Sequence, residues 1–210
     1  MSAASGERQA YPHPHVNEAW LAKLREDIIE PALPIVEAHH HLWDRASGVY
    51  LLDELRADLS AGHNVRATVF IQCGFAYRTD GPAELRPVGE TERIAGIAAT
   101  AEAAGIRAAA GIVGYCDFRL GEPIDAVLEA HIQAGGGRFK GIRHSGTYDA
   151  GIAPTAPPGA PPGLYRDPAF RAGFARLHRL GLGLRLGLRL GLGRPGLAGS
   201  RLGTGRALRT

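Results

Sequence analysis

Sulfur is scarce in this chain of 210 residues, which has two cysteines and one methionine. Cys73 and Cys116 are far apart and form no CxxC pattern, so they read as reduced thiols of a cytosolic protein. No uninterrupted apolar run approaches the roughly 18 residues of a membrane span, and none is expected. The N-terminal MSAASGERQAYPHPH lacks a basic region followed by an apolar one and is not read as a secretory signal. No glycine-rich phosphate loop is found. Acidic residues are absent from Arg176 to Thr210, where eight arginines fall. The formal net charge of +3 therefore divides into +8 for that tail and −5 for the preceding 175 residues. The basic isoelectric point belongs to the tail, which argues against a nucleic-acid-binding reading of the whole chain.

What is present is an ordinary apolar fraction, 45%, enough for a globular core. Residues 1–16 are expected to be disordered. NEAWLAKLREDIIEP then predicts an N-terminal helix within 17–34, capped by Asn17, with Trp20, Leu21, Leu24 and Ile28 on one face. PIVEAH, ATVFIQC, RAAAGIVGY and RFKGIRHS are short, nearly continuous apolar runs, the pattern of strands buried on both faces. Helical patterns follow each of them. A short one falls between Val49 and Gly62. TERIAGIAATAEAAG ends at Gly105, PIDAVLEAHIQAGG carries His131 on its apolar stripe, and DPAFRAGFARLHRLG opens on Asp167 and Pro168. Four strand–helix units in a row predict an α/β fold with a parallel sheet.

The remainder, 183–210, is a low-complexity tail of Gly, Leu and Arg. Its composition is that expected of a shifted reading frame in GC-rich DNA. Leucine alternates as in a strand, but glycine and unpaired arginine are poor strand material, so no packed strand is expected after residue 182.

The chemistry concentrates in EAHHHLWD, Glu37 to Asp44. Along a strand, residues two apart share a face, so His39 and His41 project together while His40 points the other way. Two imidazoles at that spacing suit one divalent metal such as zinc or manganese, yet supply only two of its ligands. They can equally hold a substrate. Arg143 is suited to clamp a carboxylate or lactone oxygen bidentately, or to a salt bridge of the scaffold. Gln72 is a candidate substrate donor, and His144 a further substrate-binding candidate. His144 shares its strand face with Lys140, so only one of His144 and Arg143 can face inward. Glu90 reads as an acidic residue at a helix start, favoured by the dipole.

PIVEAHHHLWD, FIQCGFAYRTDGPAELRPVGETE and FKGIRHS together resemble the amidohydrolase-related family of metal-dependent TIM-barrel hydrolases, in its L-fuconolactonase and dicarboxylate-lactonase-like branch. The resemblance covers about residues 18–182 and implies a (β/α)8 barrel truncated to about four β/α units, 35–182. It implies His39 and His41 at the end of the first strand, with Glu37 where the family usually has Asp. Later histidines and a final aspartate of the family have no counterpart here. The implied activity is hydrolysis of a lactone or related cyclic ester by an activated water, on a lactone or a carboxylated sugar derivative. As this chain stands, the expectation is an inactive form. A non-catalytic fragment, a decarboxylase of the same family and a small open α/β sheet are the alternatives.

Overall fold

A computed structural model describes residues 17–46, 48–146, 148 and 160–187. The expectations for 1–16 and for the tail from 188 onward lie outside the described residues, as does most of the proline-rich loop before Asp167.

Five parallel strands form one curled sheet. They are β1 (Ile35–His40), β4 (Val65–Ile71), β5 (Gly111–Gly114), β6 (Phe139–Ser145) and β7 (Gly183–Gly187), side by side in that order. Between them run α2 (Leu52–Leu59), α3 (Val88–Ala103), α4 (Ile124–Gly135) and α5 (Pro168–Arg179). A small antiparallel hairpin, β2 (Trp43–Arg45) with β3 (Gly48–Tyr50), interrupts the chain after β1 and has no counterpart in the sequence reading. The α/β class with a parallel sheet in sequence order stands as expected.

The core lies between the sheet and its helices. Thr68 and Phe70 of β4, Ile112 of β5 and Ile142 of β6 are fully buried, as are Ile94 of α3 and Ile124 and Leu128 of α4. Helix ends follow the caps legible in the sequence. Asp167 accepts the amides of Ala169 (2.8 Å) and Phe170 (3.3 Å), and Pro168 opens α5. Gly105 closes α3 with a left-handed φ of 78°, the conformation that glycine adopts without steric cost. His131 is a core residue, as its place on an apolar stripe suggests. Its Nε2 donates to the Tyr115 carbonyl at 3.0 Å, Nδ1 faces Thr91 Oγ1 at 2.8 Å, and the ring stacks on Phe139.

Two expectations are overturned. The N-terminal helix is confined to α1 (Glu18–Leu21), although Asn17 does cap it, its Oδ1 3.0 Å from Trp20 N. Trp20, Leu21 and Leu24 are exposed, so among the described residues that part of the apolar face is left uncovered. Propensity alone rarely holds a short helix. The second correction is β7. Gly183 to Gly187 form a strand on β6, register Gly141↔Gly183 to Ser145↔Gly187. The glycines are part of the reason. A Cβ at Gly141 would run into the Gly183 backbone, so the two strands meet where neither has a side chain. The edge strands are therefore β1 and β7, and β6 is internal.

Candidate functional site at the strand exits

The carboxyl ends of the strands bring His39, His41, Gln72 and Arg143 together. His39 and His41 lie on one side of the chain, rings 4.9 Å apart and edge to face. His40 points to the other side, where Nε2 meets Thr68 Oγ1 at 2.9 Å and the ring lies against Phe70. The two-residue strand period is thus realised, although the register slips between Glu37 and His40. Glu37 turns back on the chain, its Oε1 accepting the His39 amide at 2.9 Å.

His41 Nδ1 stands 2.6 Å from the Ile71 carbonyl. A carbonyl can only accept, so Nδ1 carries the proton and Nε2 keeps its lone pair. Burial lowers the His41 pKa against that carbonyl's opposite pull, and His39, Arg143 and Arg45 push further in the same direction. The imidazole is held neutral. Burial likewise takes His40 down to about 4.

The exit of β4 organises the rest. Three successive carbonyls each receive a side chain: Ile71 takes His41, Gln72 takes Arg143 Nη1 at 2.8 Å, and Cys73 takes Arg45 Nη2 at 3.2 Å. Arg45 comes from the hairpin, where its guanidinium lies 5.5 Å from the Trp43 ring centre and Trp43 stacks on Tyr50. The Gln72 side chain donates to Tyr77 Oη at 3.0 Å. Beneath the same segment, Glu90 Oε1 accepts the amides of Cys73 (3.0 Å) and Phe75 (2.8 Å). Glu90 is 1% exposed. Burial pushes its carboxyl up to about 7, against the opposing pull of those amides. Burial also raises the Cys73 thiol, to about 12, and raises Cys116, so neither is a poised nucleophile.

Of the sequence candidates, His39, His41, Gln72 and Arg143 come together. His144 does not. Its ring stacks on Phe118 and stands edge-on to Phe170, in the layer between sheet and helices, with burial lowering its pKa. Strand alternation sends Arg143 to one face of β6 and His144 to the other, which decides the choice left open by the sequence. Lys140 lies at the far end of β6, its Nζ donating to Gly137 O at 2.7 Å.

Arg45, Tyr77 and the burial of Glu90 were not foreseen. For Glu90 a signal existed: Val88, Gly89, Glu90 and Thr91 are all buried, and an apolar pair just before the acid is unusual for a solvated helix start. Arg45 had none, because its role depends on a hairpin only the structure reveals.

Among the described residues, no group of three or more His, Cys, Asp and Glu side chains is placed to hold a metal ion. A catalytic zinc takes three protein ligands. The histidine pair alone does not complete such a centre. What the arrangement offers chemically is two guanidiniums for negatively charged oxygen beside a neutral imidazole that can accept a proton.

No family model matches the chain, and no curated protein matches it. Among solved structures, a provisionally named amidohydrolase from Staphylococcus aureus is similar, at 14% identity and a TM-score of 0.38. The similarity covers 73% of this chain and 47% of that one, so the chain spans about half the length of the structure it matches. Among the described residues no helix is long and apolar enough to cross a membrane.

Proposed function

We propose that the strand exits form the substrate mouth of an amidohydrolase-type hydrolase acting on a small lactone or related cyclic ester. The observation that carries this reading is the convergence of His41, Arg143 and Arg45 on three successive carbonyls at the end of β4. Arg143 and Arg45 hold the substrate's carboxylate or ester oxygen. His41, neutral and with Nε2 unprotonated, takes the proton of a water as its oxygen adds to the ester carbonyl carbon. The ring C–O bond then breaks, and the departing alkoxide recovers the proton. His39, beside it, orients the water or the substrate. Arg143 and His39–His41 are the residues that the family resemblance also points to.

A second reading, a chain that binds such a molecule without turning it over, is favoured by the absence of a third metal-ligating side chain among the described residues. A panel of lactones, with and without a carboxylate, separates the two readings. Calorimetry measures binding, and a pH indicator measures acid release. Release lost in His41→Ala supports the hydrolase, and binding without release supports the second reading. If no lactone binds, both fail. Carbon dioxide release from a carboxylated panel member would instead indicate a decarboxylase.

A further inference from the structure

Glu90 has a role that a helix-start acid does not need. Burying a carboxylate costs several kcal/mol unless it is paired, yet Glu90 Oε2 is buried with no hydrogen-bond partner. What the fold obtains in return is at Oε1, which gathers the Cys73 and Phe75 amides. Those amides belong to the segment whose carbonyls receive His41, Arg143 and Arg45. The segment is gripped on its N–H side by one carboxylate and on its C=O side by three cationic or imidazole groups. Cys73 takes part in both grips.

The local backbone needs holding. Gly74 and Ala76 both take left-handed φ, 80° and 55°, an unusual conformation for alanine, and the ladder to β5 ends at the bond from Gln72 N to Val113 O. Gly89, next to Glu90, packs so closely under this turn that a Cβ there would come within 2.8 Å of Arg78 N. The turn and the start of α3 are thus fitted to one another.

We propose that Glu90 is the positioning residue of the mouth: by holding residues 71–75 it fixes where the Arg143 and Arg45 guanidiniums stand. The inference rests on reading the mouth as the substrate site, but Glu90 itself touches no substrate.

The test uses NMR on the full chain, following the backbone amides and the arginine Nε–H signals in Glu90→Ala and Glu90→Gln. In Glu90→Ala the Cys73 and Phe75 amides exchange at least tenfold faster, and the Arg143 and Arg45 Nε–H signals move toward those of solvated arginines. The Ile112 amide, deep in the sheet, exchanges as before. Glu90→Gln keeps an acceptor at Oε1 and restores both sets of signals. Should the alanine variant not fold, Glu90→Asp keeps the charge but withdraws the acceptor by one methylene, and the same losses are expected. Guanidinium signals that stay in place while the two amides exchange faster overturn the proposal, as does a Gln variant that rescues nothing. Failure to bind any lactone would sink only the reading of the mouth, because these signals are read without substrate.

Discussion

The chain divides into an interior built from β4 to β6 with α3 to α5, and an N-terminal edge of α1, β1 and the hairpin. Every residue of β5 is buried or half-buried, whereas Val36, Glu37, Ala38 and His39 on β1 are exposed. Histidines sort by the same division. His131 has both ring nitrogens satisfied inside the core, while His39 and His41 stand at the open edge. The difference is one of labour: the interior carries the stability and contributes Arg143 to the mouth, while the edge strand and hairpin bring the histidine pair and Arg45. It is the β4 exit that joins them, held by Glu90 from the interior side and by His41 and Arg45 from the edge side.

The sharpest way to break this comparison is to cut the same kind of contact in both regions. Phe70 is fully buried in the helix-side core, so Phe70→Ala should cost about 3–5 kcal/mol by loss of transfer energy and the cavity left behind. Val36 is 60% exposed on the edge, and Val36→Ala should stay within about 0.5 kcal/mol. Urea unfolding of both variants measures the contrast. Similar losses would mean that β1 is packed as firmly as β4.

A second expected effect comes from titration at the join. Burial raises the Glu90 carboxyl from 4.5 to about 7, so its contribution is fully present below the unfolded pKa and is lost as pH rises toward 7. His131 goes the other way. Burial lowers it from 6.5 to about 4, so its contribution is present above 6.5 and is lost as pH falls toward 4. His40 shares that sign. In the natural chain these opposed dependences partly cancel between pH 4.5 and 6.5. Glu90→Gln removes one of them, and stability should then climb more steeply with pH across that window, by about 3 kcal/mol from a shift of this size. Denaturation midpoints at four pH values decide it, and an unchanged slope would mean that the carboxyl is solvated.

The same division explains what could be read from the sequence. Strands β4, β5 and β6 announce themselves as continuous apolar runs because they lie inside the sheet with most residues buried or half-buried, and the caps at Asp167 and Gly105 are local chemistry. β1 shows the same kind of run, but the burial on both faces expected of it is not found, since Val36 to His39 are exposed. The face assignment of His39, His40 and His41 follows from strand period alone. The N-terminal helix misled because its apolar stripe is real, but among the described residues Trp20, Leu21 and Leu24 are left exposed, which no periodicity reveals. β7 misled in the opposite sense. Its glycines look weak in isolation, yet Gly183 meets Gly141 across the ladder, a pairing that depends on register. His144 and Arg143 could not be ranked because the inward face of β6 depends on register too, with a slip between its pairs with Ile112 and Val113. Arg45 and Glu90 act through backbone groups of a distant turn, so their roles are not visible in residue type or spacing.

The smallest expected effect on stability is also the one that tests the edge most directly. His39 is exposed, its amide bond to Glu37 survives in alanine, and its ring lies edge to face with His41 at the solvent-facing edge, where such contacts contribute little. His39→Ala should therefore shift the unfolding free energy by less than about 0.5 kcal/mol. Its effect on zinc should be larger in proportion. Two neighbouring imidazoles, one with Nε2 left open by the Ile71 bond, can share an ion whose remaining positions are filled by water, so binding should be weak and lost in His39→Ala. Calorimetric titration with zinc alone measures this, with His131→Gln as the control, since both nitrogens of His131 are engaged in the core. Tight one-to-one binding would require a third protein ligand from outside the described residues. It would also bring an edge that now looks incomplete within reach of a catalytic metal centre. Binding unaffected by His39→Ala would place the ion elsewhere and leave the histidine pair to the substrate.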